Sequence, residues 1–151
     1  MEIRELTEED IPSLLDLYVQ LAEVNKNVTL EKARDVWAKE IRENKNIKYF
    51  GAIDKGKVVS TCYCTIIPNL TNAARPVCFV ENVVTDKDYR KQGLGKKVIE
   101  KAIETAKKNN CYKVILFSGV ARKEAHQFYE NLGFSSKTKI AFDMRLTEEE
   151  D

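Results

Sequence analysis

The feature that most constrains the fold is the stretch YRKQGLGKKV, from Tyr89 to Val98, which separates an apolar run from an amphipathic one. The preceding residues, VCFVENVVT, are apolar enough for a central strand. The residues from Gly93 to Asn109 carry apolar side chains at helical spacing. Gly93 and Gly95 lie at the junction, where glycine lets the backbone approach a bound group closely. The sequence therefore predicts a strand–turn–helix unit whose helix N-terminus can receive an anion.

These glycines match one of three phosphate-binding patterns. A P-loop requires a glycine five residues before Gly-Lys, and that position holds Arg90. A dinucleotide-binding turn requires a third glycine where this chain has Val98, and a first strand near the domain start. The pattern R-x-x-G-x-G between a strand and a helix is matched by Arg90, Gly93 and Gly95. From spacing alone, a binding turn and a glycine loop with a solvated basic face stay equally open.

The rest of the sequence predicts one α/β domain over residues 1–151, in the order strand, two helices, three strands, helix, strand, helix, strand. We expect the early, hairpin-connected strands to be antiparallel and the later strand–helix–strand unit to be a right-handed parallel crossover. The last strand should close the sheet, and the acidic tail TEEED should fray. The predicted strands are EIREL, IKYFGAI, VVSTCYCTII, VCFVENVVT, KVILFS and KIAFDMRL, and the helices begin near Thr7, Thr29, Gly93 and Lys123.

Composition narrows the partners and cofactors. The formal net charge of +1 excludes broad electrostatic attraction to nucleic acid or to a membrane surface. Four cysteines and one histidine lack the spacing of a zinc site, so we expect no metal and buried, reduced thiols. Charged residues follow Met1 at once, and no apolar run reaches membrane-spanning length, which predicts a cytoplasmic location.

The glycine turn belongs to a longer stretch that resembles a known family. The segment ENVVTDKDYRKQGLGKKVIEKAIETAKKNNCYKVILFS, followed by EAHQFYENLGF, is similar to the GNAT superfamily of acyl-CoA-dependent N-acetyltransferases. The resemblance is close from Val77 to Phe134, and NCYKVIL is locally similar to the glucosamine-6-phosphate N-acetyltransferase branch. It implies an α/β (α+β) fold with a mixed, mostly antiparallel sheet of about seven strands, about four flanking helices and a splayed central strand pair.

The resemblance also implies acetyl-CoA as the co-substrate. In the family, the strand before the turn splays from the next strand and pairs with the pantetheine arm, while the turn amides hold the pyrophosphate. Many relatives have asparagine where this chain has Arg122, which would meet a cofactor phosphate or an acidic substrate, or else be a solvated arginine. The cofactor-binding positions implied here are Val83, Val84 and Thr85 on the strand, Arg90, Lys91, Gln92, Gly93, Leu94, Gly95 and Lys96 in the turn, and Ser118 and Arg122 beyond it.

Acetyl transfer to an amine needs a base for the amine proton, a donor for the carbonyl oxygen and an acid for the leaving thiolate. The resemblance assigns the acid to Tyr129, because a phenol with an ordinary pKa near 10 is protonated at neutral pH. The alternative is an aromatic residue that only packs beside Phe128 and Phe134. His126, three residues before Tyr129, either tunes it or has a surface or packing role.

Glu81 is the preferred base, acting directly or through water, since it interrupts an otherwise apolar strand just before the cofactor-pairing residues. Strand alternation would place Glu81 on one face with Val83. The alternative is a glutamate paired with a cation at the sheet surface.

The acceptor pocket falls, by resemblance, on roughly Val24–Trp37 and Pro68–Pro76. Small, mixed polar side chains there fit a small-molecule primary amine better than a long basic peptide. The alternatives are a protein or peptide amino group as acceptor, or a non-catalytic acyl-CoA-binding sensor. Relatives often pair through their C-terminal strands, so we expect a homodimer.

Overall fold

The computed structural model of the protein describes residues 1–21 and 28–146. The chain forms two units, Met1–Ile115 and Leu116–Asp151. Two predictions concern residues outside the described part: the start of the acceptor region, from Val24 to Asn27, and the fraying of the tail at 147–151.

The first unit is built on one five-stranded sheet. The predicted order of strand, two helices, three strands, helix and strand is confirmed in this unit. Its strands are β1 (Glu2–Glu5), β2 (Ile47–Asp54), β3 (Lys57–Ile67), β4 (Val77–Thr85) and β5 (Lys113–Ile115). Its helices are α1 (Ile11–Tyr18), α2 (Leu30–Val36), continued by a π turn at Trp37–Ile41, and α3 (Leu94–Lys108), with 3-10 turns at Glu8–Asp10 and Lys87–Tyr89.

The strands lie in the order β1-β2-β3-β4-β5, and their directions agree with the prediction. The first four strands are antiparallel, and β4 and β5 are parallel, as the crossover through α3 requires. The β4–β5 ladder is short, since it joins only Val77–Phe79 to Lys113–Ile115. Beyond Phe79, β4 continues to Thr85 with its ladder partners on β3 alone, which is the expected splay of the central pair.

Each face of the sheet buries its own apolar cluster. The cluster under α1 and α2 contains Leu6, Ile11, Leu14, Leu17, Trp37, Val58 and Val84, and the α3 side buries Val98, Ile99, Ala102 and Ala106.

The cysteine thiols predicted to be buried and reduced are all free; Cys62, Cys64 and Cys78 are buried, and Cys111 is half-buried. The thiol of Cys62 donates a hydrogen bond to the carbonyl of Val98 in α3 at 3.3 Å, and burial raises its pKa to about 12, so it stays protonated.

The entry into α1 is held by a charged hydrogen-bond pair. Both terminal nitrogens of Arg4 in β1 donate to the carboxylate of Asp10, at 2.7 and 2.9 Å. The same carboxylate accepts the backbone N–H of Thr7 at 2.8 Å, as the predicted helix start requires. The Arg4 hydrogen bonds lower the pKa of Asp10, so this contribution to stability is present above the ordinary aspartate pKa and is lost in acid.

The second unit contains α4 (Lys123–Asn131), which is followed by Leu132 as the C-cap and then by the predicted glycine. Gly133 has a left-handed φ of 102° and donates its N–H to the carbonyl of Glu130 at 2.9 Å. The predicted strand KIAFDMRL is wrong for the described residues, because Lys139–Leu146 carry no strand. The predicted strand KVILFS is shorter than expected and ends at Ile115. The sheet therefore has five strands instead of about seven, since an apolar alternation becomes a strand only where a ladder partner is present.

The loop between β3 and β4 contains a strained turn that the sequence did not indicate. Asn72, Ala73 and Ala74 have φ values of 52°, 57° and 58°, in the left-handed region. Asparagine tolerates this region, whereas alanine is strained there because its Cβ approaches the following carbonyl. Part of the predicted acceptor region, Pro68–Pro76, is thus held in an unfavourable backbone conformation by its surroundings.

We expect Ala73→Gly or Ala74→Gly to raise the free energy of unfolding by about 0.5–1 kcal/mol each, because glycine removes the Cβ strain. The greater conformational entropy that glycine gives the unfolded chain offsets only part of this gain. Urea denaturation of the purified variants measures this change. The matched control is Ala33→Gly within α2, which should lower the free energy of unfolding by about 1 kcal/mol. Destabilisation by all three substitutions would show that the turn is unstrained.

Candidate functional site

The glycine turn forms the N-terminus of α3 through left-handed backbone. Gly93 immediately precedes Leu94 with φ 78° and ψ 10°. A Cβ built on Gly93 meets nothing within 4 Å, so glycine is required by the backbone angle and leaves open space before the helix. Lys91 also has a positive φ, of 62°. The turn therefore contains two residues in the left-handed region before the helix starts.

The first amides of α3 are available to a ligand. The N-cap residue is Gly93, which has no side chain that could cap the helix. The first hydrogen bond to the turn runs from the N–H of Lys97 to the carbonyl of Gly93 at 3.2 Å, so the N–H groups of Leu94, Gly95 and Lys96 precede the intrahelical ladder. The side chain of Leu94 is buried, which leaves only its backbone facing the turn. Arg90, Lys91, Gln92 and Lys96 are exposed around these amides.

Three side chains hold the loop that leads into this turn. Nε of Arg90 donates to the carbonyl of Thr85 at 3.2 Å, so the arginine shapes the loop. The hydroxyl of Tyr89 donates to Asp54, in the β2–β3 hairpin, at 2.7 Å. Gln20, just after α1, bonds both to Asp86 and to the backbone of Lys87. Asp54 and Gln20 are absent from the predicted site, because both are more than 30 residues away from their partners in the sequence.

A bulge interrupts β4 between the predicted base and the predicted cofactor-pairing residues. Thr61 of β3 lies opposite Val84, and Tyr63 lies opposite Glu81, so Cys62 alone faces two residues of β4. One of these two, Asn82, has a φ of 51°. Cross-strand partners share a face of the sheet.

The bulge corrects one prediction. Because Thr61 and Tyr63 lie two residues apart on β3, their partners Val84 and Glu81 share a face. Glu81 therefore lies on the same face as Val84, on the side of α1 and α2, and does not share a face with Val83 as simple alternation predicted. Simple alternation fails here because the extra residue of the bulge shifts every later side chain to the opposite face.

Glu81 borders a row of rings that we call the aromatic layer, made of Trp37, Tyr49 and Tyr63. The ring centroids of Trp37 and Tyr49 are 5.2 Å apart, and Tyr49 stacks on Tyr63 at 4.7 Å. Burial raises the pKa of Tyr63, and the negative charge of Glu81 raises it further. Nearby, the hydroxyl of Tyr18 is shielded from solvent, and burial raises its pKa well above the usual value, so it stays protonated. The carboxylate thus lies beside apolar ring surface and neutral phenols.

Two of the three predicted cofactor-pairing residues of β4 use their side chains within the protein. Val84 is buried in the cluster under α1 and α2. The hydroxyls of Thr85 and Ser60 form a hydrogen bond at 2.7 Å. What Val83, Val84 and Thr85 can offer a ligand is therefore main chain, along the part of β4 that has left β5.

The second unit carries the other predicted positions. Tyr129 lies in α4, with ring centroids 5.1 Å from Phe128 and 6.2 Å from Phe134. The hydroxyl of Ser118 is buried without a hydrogen-bond partner in the described residues. Arg122 is exposed at the start of α4. Nε2 of His126 pairs with the carbonyl of Gly119 at 2.7 Å, a contact that favours the packing role over tuning of Tyr129.

Two features are absent from the described residues. Across 1–21 and 28–146, no group of three or more His, Cys, Asp or Glu side chains is arranged to hold a metal ion. Within the same ranges, no helix combines the length and the apolar character needed to cross a bilayer.

Comparison with known proteins establishes the class. The chain matches the Acetyltransferase (GNAT) family over residues 11–134, and it belongs to that family. It is 35% identical over 148 residues to the glucosamine 6-phosphate N-acetyltransferase of Trypanosoma brucei brucei, with 97% of this chain and 95% of the relative covered. The resemblance of the turn and of α4 to GNAT enzymes is thereby confirmed, and the protein is an acyltransferase of the N-acetyltransferase class.

Solved structures agree with the fold. The glucosamine-6-phosphate N-acetyltransferase of Arabidopsis thaliana superposes with a TM-score of 0.83 at 31% identity, covering 97% of this chain and 98% of that one. A protein of Agrobacterium tumefaciens str. C58, provisionally described as an acetyltransferase, superposes with a TM-score of 0.88 at 40% identity, covering 96% and 99%.

Proposed function

We propose that this N-acetyltransferase moves an acetyl group from acetyl-CoA to the primary amine of a small molecule, and that residues 1–151 work as a single catalytic domain. The observation that carries the proposal is the uncapped N-terminus of α3 behind Gly93. Free backbone N–H groups and the positive end of a helix suit a diphosphate. The exposed cations Arg90, Lys91 and Lys96 add favourable charge around it.

Main-chain groups would bind the coenzyme along two elements. The backbone amides from Lys91 to Lys96, which we call the cradle, hold the pyrophosphate. The backbone of Val83, Val84 and Thr85 pairs with the pantetheine arm. This assignment is supported by the β4–β5 ladder, which stops at Phe79 and so does not include these three residues. The buried hydroxyl of Ser118 has no hydrogen-bond partner among residues 1–21 and 28–146, and such a group is one that a ligand satisfies, so we assign Ser118 to the coenzyme as well. Arg122, exposed at a helix start, is assigned to a phosphate of the coenzyme.

The chemistry follows from two side chains. Glu81 takes the amine proton, directly or through one water, as the nitrogen attacks the thioester carbonyl. Tyr129 donates its phenolic proton to the sulfur as the C–S bond breaks, so that the thiol leaves neutral. The register of the sheet supports this assignment for Glu81, because its cross-strand partner is Tyr63 of the aromatic layer, on the side of α1 and α2.

The acceptor is proposed to be a small amine, with an amino sugar phosphate as the first compound to test, since relatives of high coverage are named for glucosamine 6-phosphate. We also propose a homodimer. Ile140, Phe142, Met144 and Leu146 alternate along the chain and are 81–90% exposed, a pattern that a strand of a second copy could bury. Sedimentation velocity distinguishes the dimer from a monomer.

Release of free thiol from acetyl-CoA tests the function. The panel contains glucosamine 6-phosphate, glucosamine, an aminoglycoside, a simple alkylamine and a basic peptide. Turnover with a small amine and none with the peptide is the expected result. Turnover with the peptide alone would favour the protein acceptor, and coenzyme binding without turnover would favour the sensor.

Gly93→Ala should weaken coenzyme A binding about tenfold, because the added Cβ enters the cradle and strains a left-handed residue. Calorimetric titration measures the dissociation constant. The control is Gly56→Ala in the β2–β3 turn, where φ is also positive, at 76°, and a Cβ also meets nothing within 4 Å. Both variants should lose about 1 kcal/mol of stability, and only the first should lose affinity. Equal affinities in the two variants would remove the cradle from the proposal.

Glu81→Gln should lower kcat most at low pH. The amine is largely protonated there and depends on the base, whereas at high pH free amine forms without help. The measurement is kcat against pH with the best acceptor. Glu104→Gln, on exposed α3 surface, is the control and should follow the unmodified protein. A loss of equal size at every pH would indicate that Glu81 binds the acceptor and does not act as a base.

Tyr129→Phe should lower kcat about 10²-fold or more while the dissociation constant of coenzyme A changes less than about twofold, because only the donated proton is lost. Steady-state kinetics and calorimetry measure the two quantities. Tyr112→Phe makes the same chemical change beside Lys113 and should alter neither. Full turnover by Tyr129→Phe would leave this tyrosine as a packing residue beside Phe128 and Phe134.

A further inference from the structure

The side-chain amide of Gln20 makes a two-point contact with the loop between β4 and α3. Its Nε2 donates to Oδ2 of Asp86 at 3.1 Å, and its Oε1 accepts the backbone N–H of Lys87 at 2.9 Å. Both groups of the amide are therefore satisfied by adjacent residues, 66 and 67 positions further along the chain. Gln20 follows α1 and belongs to neither the turn nor β4.

Asp86 holds the start of the loop with both its carboxylate and its backbone N–H. Its other carboxylate oxygen, Oδ1, accepts the N–H of Asp88 at 2.9 Å and caps the 3-10 turn Lys87–Tyr89. Its own N–H donates to the carbonyl of Val59 in β3 at 2.8 Å. The contact from Gln20 occupies the remaining oxygen, so the position of Asp86 is determined from β3, from the segment after α1 and from the 3-10 turn itself.

The loop from Asp86 leads directly into the cradle. After the 3-10 turn, the chain passes through Lys91 and Gly93, both with positive φ. A non-glycine residue at positive φ persists only where its surroundings hold it. Amides that must point together at one anion bind it more tightly when their loop is already ordered in the free protein. A contact that fixes the start of this loop therefore affects affinity for a ligand that the contact itself does not touch.

We propose that Gln20 is a positioning residue for the coenzyme: its amide holds Asp86 and Lys87, and so fixes the loop that presents the cradle to the pyrophosphate. The inference rests on the proposed function, because it requires coenzyme A in the cradle. It adds a residue from the segment just after α1 to the determinants of coenzyme binding.

Gln20→Leu removes both hydrogen bonds at similar volume. It should weaken coenzyme A binding about tenfold. This is the size of effect expected when the loop loses the ordering that about one net hydrogen bond supplies. The control Asn109→Leu removes an amide hydrogen bond to Thr105, at 2.8 Å, at the other end of α3, and should bind as the unmodified protein does. Calorimetric titration with coenzyme A gives all three dissociation constants.

Gln20→Glu separates positioning from general destabilisation. The new carboxylate still accepts the N–H of Lys87, but it faces the carboxylate of Asp86, with Lys87, Arg90 and Asp88 as the other charged neighbours of that group. At about pH 8 the two carboxylates repel, and affinity should fall at least tenfold. At about pH 5.5 the raised pKa of the pair lets one proton bridge them, and affinity should return to within about threefold of the unmodified protein at that pH.

Three results would overturn the inference: unchanged affinity of Gln20→Leu, a Gln20→Glu deficit that is the same at both pH values, or a loss in Asn109→Leu of equal size. If Gln20→Leu does not fold, the pH dependence of Gln20→Glu decides alone. If the unmodified protein shows no heat with coenzyme A, the proposed function fails. Hydrogen exchange at the amide of Lys87 still tests the contact then, since it should accelerate in Gln20→Leu and not in Asn109→Leu.

Discussion

The separation of β4 from β5 is the constraint on which the site depends. The two strands pair only at Val77–Phe79, yet β4 stays in the ladder with β3 as far as Thr85. Backbone groups along the free edge of a strand require hydrogen-bond partners, and the strand cannot reach them within its own sheet. Because α3 begins shortly after this edge, a strand edge and an uncapped helix end follow each other in the chain.

This arrangement divides the work between main chain and side chains. Val84 and Leu94 bury their side chains in the core, so the backbone at both positions is held rigidly while its polar groups stay available. The loop between them is fixed by Gln20, Asp54 and the carbonyl of Thr85, which come from different parts of the first unit. Glu81, in contrast, precedes the bulge in β4, whereas Val84 follows it, and Glu81 faces the aromatic layer. In the proposed function, this one strand serves the coenzyme with its backbone and the acceptor with a side chain.

The predictions succeeded where the cause is local and failed where a distant partner decides. Apolar periodicity identified every strand of the first unit and α1 to α4, and Gly93 and Gly133 were predicted at the helix ends where positive φ is required. The face of Glu81 was predicted wrongly, because a bulge depends on the register with β3 and not on the residues of β4 alone. The strand at Lys139–Leu146 was wrong for a related reason: alternation describes a strand's faces but supplies no ladder partner.

By itself, the sequence determined the order of the elements, the glycine turn at the mouth of α3 and the family, since each of these depends on residue types at short and regular spacing. Only the tertiary structure decided which face Glu81 occupies, where β4 leaves β5 and which side chains hold the loop at Asp86. Those features arise from contacts between residues tens of positions apart, and such contacts exist only after the chain has closed its sheet.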